Sequence, residues 1–230
     1  MQTHILITGA SRGIGAAIAA ALTSAATKIV ALSSADGDLA DPAAPARLWQ
    51  ASLDRLDGRI NVLINNAGIF EASPLDNTDA DWLENWNRTQ QINLTASADL
   101  CRRAVLHWQE RQAAGRIVNI ASRAAHRGDS PAHWHYAASK AGMVAMTKTI
   151  ARAYAADNIL AFAICPGFTM TGMADDYLAS RDGDKLLADI PLGRVAMPEE
   201  VAEMARWCAI DAPASMTGAV LDVNGASYVR

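Results

Sequence analysis

Tyr136 and Lys140 stand four residues apart in the stretch Tyr136-Ala137-Ala138-Ser139-Lys140. On a helix that spacing puts both side chains on one face, a turn apart. A tyrosine phenol with a pKa of about 10 is a poor acid-base group at neutral pH. A neighbouring ammonium stabilises the phenolate and draws that pKa toward the working range. The pair is therefore a candidate acid-base couple, against the plain alternative of a surface tyrosine and lysine at helical spacing. Ser122 follows the apolar run Ile117-Val118-Asn119-Ile120, which places it at the carboxyl end of a predicted strand. Ligands of doubly wound sheets bind at such ends, and a hydroxyl there could donate to an oxygen gaining negative charge. It could equally be a serine that merely ends a strand. Ser130 is nearer Tyr136 but belongs to a Gly-Asp-Ser-Pro turn.

A second constellation is Thr8-Gly9-Ala10-Ser11-Arg12-Gly13-Ile14-Gly15, between an apolar run and an Ala-rich stretch. Glycines there let the chain turn tightly and bring backbone N–H groups against a phosphate at a helix N-terminus. The spacing is not G-x-G-x-x-G, and no Gly-Lys-Ser/Thr follows, which argues against a P-loop ATPase. A tight turn alone would explain it too. His133-Trp134-His135, with His126 near, has the spacing for two metal ligands on an extended segment. No third ligand supports it, so no metal is expected and these histidines are read as flanking the site mouth. A hydrolase triad built on Ser122 lacks the Gly-x-Ser-x-Gly elbow.

The elements that must position these groups are six strand-length apolar runs: Ile5–Ile7, Lys28–Leu32, Asn61–Ile64, Arg116–Ile120, Leu160–Ile164 and Val220–Val223. They are apolar on successive residues, the pattern of strands buried on both faces. Between them lie helix-forming stretches at Gly15–Ser24, Ala43–Leu56, Asp79–Gln112, Tyr136–Ala156 and Pro198–Ile210. Trp82, Trp86 and Trp108, at helical spacing on the third stretch, are read as core or subunit packing. The alternation predicts an open, doubly wound α/β parallel sheet with helices on both faces. One step breaks the rule. Only a handful of residues separate Ser33 from Asp38, whereas a parallel crossover needs about a dozen. The crossover helix after the second strand is predicted to be missing, leaving six main strands.

The 230 residues are 51% apolar and 19% charged, with mean hydropathy +0.05. That fills a sizeable core and excludes a disordered chain or a small disulfide scaffold. A net charge of −4 offers no footprint for a nucleic-acid backbone. Cys101, Cys165 and Cys208 have no paired spacing, as expected of free thiols in a reducing cytoplasm. No stretch approaches the roughly 18 apolar residues of a membrane helix, and the first residues lack the pattern of a signal peptide. The expectation is one cytoplasmic domain over residues 1–230.

Taken in order, Thr8-Gly-x-x-x-Gly13-Ile14-Gly15, Asn65-Asn66-Ala67-Gly68, Asn93, Ser122, Tyr136-x-x-x-Lys140 and Pro166-Gly167 with Thr171 resemble a single-domain short-chain dehydrogenase/reductase. The likeness runs from about residue 3 to residue 226 and is strongest to 3-oxoacyl carrier protein reductases. It implies a Rossmann-type fold and a hydride transfer between NADP(H) or NAD(H) and a carbonyl or secondary alcohol. Ser122, Tyr136 and Lys140 would carry the chemistry, with Asn93 relaying protons through water. The gap from Ser122 to Tyr136 is one residue longer than the family's usual spacing. Gly9, Ser11, Arg12, Gly13 and Ile14 would hold the cofactor phosphates, and Asp38 with Leu39 the adenine. Asn65, Ala67 and Gly68 would meet the ribose side. Tyr136, Lys140, Pro166, Gly167, Thr169 and Thr171, with Ile164 just before, would meet the nicotinamide side. The segment around 172–190 resembles a substrate lid and is silent on substrate identity. The last strand commonly forms an interface in the family, which implies a homotetramer, with a homodimer next; Ala226 replaces the family's second glycine after it.

An acidic residue ending the second strand would accept both ribose hydroxyls of NAD and repel a 2′-phosphate. Here Ser33 and Ser34 stand at that place, and Arg12 adds a cation on the same side. NADP(H) is therefore favoured and NAD(H) possible, with Asp36 and Asp38 nearby as counter-evidence. The rival from another class is a dinucleotide-binding regulatory protein that keeps the fold and does no chemistry.

Overall fold

Consecutive apolar residues leave a strand no polar face to turn toward water. In the computed structural model, which describes residues 2–171 and 187–230, the interior runs are covered on both sides and the two edge runs only in part. The strands are β1 (Thr3–Ile7), β2 (Thr27–Ala31), β3 (Val62–Asn65), β4 (Gly115–Ile120), β5 (Ile159–Pro166) and β6 (Val220–Val223). They form one parallel sheet in the order β2-β1-β3-β4-β5-β6. β5, paired on both sides, has all eight residues buried, whereas β6 at the edge has none fully buried.

The helices are α1 (Gly13–Leu22), α2 (Ala44–Arg55), α3 (Asp79–Gln90), α4 (Ala96–Arg111), α5 (Ala124–Arg127), α6 (Trp134–Tyr154) and α7 (Pro198–Ile210). Leu6, Leu63 and Ile117 pack with α2, α4 and α6 residues such as Leu48, Leu100, Trp108 and Ile150. The alternate strand residues Ile5, Ile7, Val62, Val118 and Phe162 pack with Ile18 of α1 and Val201 and Cys208 of α7. Two helical layers thus sandwich the sheet, each sealed on alternate side chains of the same strands. Fully burying each aliphatic side chain contributes about 2 kcal/mol.

The predicted break after β2 is present locally, although α2 still makes the crossover from β2 to β3. Residues 32–43 contain turns and no helix or strand, and β2 is the edge of the sheet. The turns are closed by Asp36 N donating to Ser33 O and Asp41 N to Asp38 O, 3.1 Å each. The Asp38 and Asp41 carboxylates each accept a backbone N–H two residues on, at 2.9 Å. Acidic residues that satisfy their own backbone this way make a stable connection without a helix.

The long stretch 79–112 differs from expectation. It is α3 and α4 joined by a π-turn at Gln91–Thr95, closed by Ala96 N donating to Gln91 O. The tryptophans separate accordingly. Trp108 is buried and its indole N–H donates to Ile60 O, while Trp82 and Trp86 lie half-buried and stack at 5.4 Å. Only the first is core.

Candidate active site

The chain order turns back on itself at β1 and β3, since β2 lies on one side of β1 and β3 on the other. Ligands of such sheets bind in the crevice outside that switch point. The glycine loop after β1 and Asn66-Ala67-Gly68 after β3 flank it. Gly9 has φ +67°, and a Cβ there would sit 2.7 Å from Ala67 Cα; one on Gly15 would sit 2.1 Å from Gly9 O. Only glycine lets these backbones close. The Thr8 hydroxyl accepts from Asn66 N (3.2 Å) and Ala67 N (3.1 Å), and Asn66 Nδ2 donates to Thr8 O (3.1 Å) and Gly9 O (2.8 Å). The two segments are one rigid unit. Thr171, from beyond β5, approaches the same loop: its Cγ2 would lie 3.0 Å from a Cβ on Gly13. Ser11 and Arg12 are exposed at its rim, beside half-buried Ile14.

Adjacent Asn65 and Asn66 divide their work as residues of opposite parity on a strand must. Asn65 is fully buried, donating to Asn119 Oδ1 (2.9 Å) and Cys101 Sγ (3.2 Å). Asn119 in turn donates to Thr147 Oγ1 at 2.8 Å. The Asn65 side chain ties β3 to β4 and α4 inside the core, the structural half of its expected role, so a ribose contact there would fall to the Asn65 backbone. Asn66, which sequence reasoning passed over, is the one that holds the phosphate loop.

Ser122 ends β4 nine-tenths buried, its Oγ accepting from Ala124 N at 3.1 Å. The gap to Tyr136 contains the single turn α5. Ser130 is exposed, with its hydroxyl on His133 Nδ1 at 2.6 Å. Tyr136 and Lys140 rise from one face of α6, the Lys140 ammonium 5.8 Å from the phenol ring centre. Lys140 is buried and donates to Ile120 O at 2.9 Å. The Phe70 ring meets Tyr136 edge-on at 4.7 Å and stacks on His133 at 4.0 Å, an aromatic wall with no signal in the spacing.

Asn93 is not a solvent-facing mid-helix asparagine. It is fully buried in the π-turn, accepting from Ile69 N (2.8 Å) and donating to Ile69 O (3.0 Å) and Ser139 Oγ (3.3 Å). A Cβ on Gly68 would lie 3.3 Å from Asn93 Oδ1 and 3.4 Å from Lys140 Nζ, so both groups converge behind that glycine.

The electrostatics reverse one expectation. Burial pushes the Tyr136 phenol up to about 12, although hydrogen bonding from Ser122 pulls it down. Burial also lowers Lys140 to about 8. The ammonium binds a backbone carbonyl rather than the phenol oxygen, so desolvation, not the neighbouring cation, sets the tyrosine's state. At pH 7 the phenol is protonated and the amine largely charged.

Pro166 is buried at the end of β5, Gly167 N donates to Val223 O (2.9 Å), and the Thr169 hydroxyl donates to Gly167 O (3.2 Å). At the far end of the crevice Ser33 N and Oγ both donate to Asp36 Oδ2, at 2.8 and 3.1 Å. The Ser33 hydroxyl, which stands where an NAD-selective acid would, is thus held by Asp36, with Arg55 at 3.7 Å from the same carboxylate. Ser34 and Asp38 are exposed, and Gln91 Nε2 donates to Leu39 O at 3.2 Å. Most of the expected lid, residues 172–186, lies outside the described residues.

Residues 25–226 match the family described as enoyl-(acyl carrier protein) reductase. The chain is 36% identical to a 3-oxoacyl-[acyl-carrier-protein] reductase of Synechocystis, over 96% of this chain and 94% of that one. It is 32% identical to 3beta-hydroxysteroid dehydrogenase 1 of Eggerthella lenta, over 96% and 92%. A crystal structure from Agrobacterium tumefaciens with bound NADP, provisionally named a 2-deoxy-d-gluconate 3-dehydrogenase, superposes with TM-score 0.86 at 27% identity, over 99% and 97%. A phosphate-type glycine loop, a serine-tyrosine-lysine cluster at the strand ends and these full-length matches agree: the chain belongs to the short-chain dehydrogenase/reductase family.

Proposed function

We propose that the protein is an NADP(H)-dependent oxidoreductase that interconverts a carbonyl and a secondary alcohol. The observation that carries this reading is the convergence of Ser122, Tyr136 and Lys140 at the carboxyl ends of β4 and β5, beside the glycine loop. The loop fits a dinucleotide: side-chain-free Gly9, Gly13 and Gly15 leave backbone where a pyrophosphate would need it. Ser11, Arg12, Gly13 and Ile14 would hold the phosphates, Asp38 and Leu39 the adenine, and Pro166, Gly167, Thr169 and Thr171 the nicotinamide side. Bound NADP(H) supplies or accepts the hydride at the substrate carbon.

The rest is done by side chains of this chain. Ser122 Oγ donates to the substrate oxygen and steadies the charge it gains. Tyr136, protonated at neutral pH as a phenol ordinarily is, gives that oxygen its proton in the reductive direction. Lys140 keeps a positive charge beside the phenol, and Asn93, which converges with it behind Gly68, sits on the route by which the proton is replaced. The NADP(H) preference is supported by the absence of an acidic residue at positions 33 and 34 and by exposed Arg12, which makes no ion pair among the described residues. It is also supported by the NADP bound in the Agrobacterium relative. The substrate class stays at carbonyl or secondary alcohol, since relatives named for acyl thioesters, a steroid and a sugar acid match nearly full length.

Edge strand β6, unpaired on its outer side among the described residues, supports assembly as a homotetramer, or as a homodimer. Among those residues no helix is long and apolar enough to cross a membrane, and the cysteines are free; both accord with the cytoplasm. The deciding experiment pairs NADPH oxidation across a panel of ketones, 3-oxoacyl thioesters and sugar acids with fluorescence titration of NADPH and NADH. Turnover of one class that disappears in Tyr136→Phe while NADPH still binds supports the reading. Tight binding without turnover of any carbonyl would favour a binding protein, and tighter NADH would reverse the cofactor preference.

A further inference from the structure

Three ligand types meet behind the candidate catalytic serine. His126 of α5, Cys165 near the end of β5 and Asp222 of β6 bring one N, one S and one O atom within 4.8 Å of each other. The residues are far apart in the chain. They meet because α5 follows β4 directly and β5 pairs with β6, placing Cys165 opposite Asp222 in the ladder.

The inner pair already has the spacing of a metal edge. His126 Nε2 lies 3.7 Å from Cys165 Sγ. A tetrahedral zinc with Zn–N of about 2.05 Å and Zn–S of about 2.3 Å holds those two atoms about 3.6 Å apart. The imidazole is held in plane by Tyr228, stacked at 5.8 Å with 1° between the rings. Nε2 is the ring nitrogen that faces Cys165 Sγ, the orientation a shared metal needs. Asp222 is exposed, so solvent can complete the fourth position from that side. We propose that His126, Cys165 and Asp222 form a zinc-binding site, filled by Zn²⁺ with water as the fourth ligand.

On binding, the Cys165 thiol loses its proton to solvent and the sulfur becomes a thiolate ligand. The cation supplies the charge that makes this deprotonation favourable. Arg230 is the competitor. It is paired with Asp222 at 3.0 Å and must release that carboxylate. Lys148 is a second cation acting on His126. The other two cysteines are internal controls: Cys101 is bound to asparagines and Cys208 has no imidazole partner among the described residues. A soft sulfur with an imidazole and one carboxylate selects zinc over magnesium or calcium.

The test uses the purified full chain, stripped with a chelator and titrated with ZnCl₂ against a chromophoric competitor. One Zn²⁺ per chain is expected, weakened at least about tenfold in Asp222→Asn and in His126→Asn. Arg230→Ala should bind more tightly, because it releases the Asp222 carboxylate. Titration of unmodified protein with CoCl₂ should give a near-ultraviolet thiolate-to-cobalt band, retained in Cys101→Ser and lost in Cys165→Ser. Absence of that band from the unmodified protein, or no stoichiometric zinc, overturns the proposal without relying on any variant. Binding unchanged in Asp222→Asn and His126→Asn overturns it as well.

Discussion

The two ends of the crevice are built on opposite plans. At the catalytic end, Ser122, Lys140 and Asn93 are buried, and each is held by backbone hydrogen bonds or by strand geometry. At the adenine end, residues 33–43 are a run of acidic turns, mostly exposed and held largely by their own side chains. Chemistry demands fixed distances, so its groups sit where the sheet and α6 leave no slack. Recognition of a nucleotide's far end tolerates looser support, and this chain has dispensed with a helix there. The two ends should therefore fail in different ways.

The sharpest separation comes from Tyr136→Phe, expected to lower kcat about a hundredfold to ten-thousandfold while leaving the NADPH dissociation constant unchanged. Steady-state kinetics beside a binding titration read both. Ser122→Ala should cost about a hundredfold in kcat, whereas Ser130→Ala, exposed and tied to His133, should leave it near wild type. An equal loss in both would undo the assignment. The reductive rate should fall about tenfold per unit as pH rises beyond about 8, because Lys140's lowered pKa means its ammonium is present below that value and lost above it. A pH profile flat to 10 would contradict that. The smallest effect belongs to the other end. Asp36→Asn loosens the hold on Ser33 and removes an anion beside the expected 2′-phosphate, tightening NADPH by less than about fivefold with kcat unmoved. A change in kcat there would break the division between the two ends.

How far the chain could be read in advance follows the same division. Apolar runs without alternation announced a parallel sheet, and the Ser33–Asp38 spacing alone excluded a helix between those residues, because both are counts of residues against fixed geometry. Tyr136 and Lys140 shared a face for the same reason. What stayed hidden depends on direction and environment. Asn65 and Asn66 are alike in sequence, and only strand parity in the folded sheet sends one to the core and the other to the loop. Ser33 looked free until a carboxylate three residues on folded back onto it. Lys140 four residues away suggested a lowered phenol pKa, yet burial of both groups decided otherwise. The cluster of His126, Cys165 and Asp222 has no local spacing to read.

The π-turn at Gln91–Thr95 has one more consequence. A helix that takes an extra residue into one turn changes phase: every side chain after it is rotated by about 100° relative to an uninterrupted spiral. α3 and α4 are therefore one rod with two independent clocks. α4 keeps Leu100, Ala104 and Trp108 on the core while Asn93, at the slip itself, is turned to clasp Ile69. By the same arithmetic, excising a single residue from the slip cancels the phase change and leaves one regular helix on which both halves keep their present faces. The rod would survive the edit, but the wide turn that presents Asn93 to Ile69 would be gone.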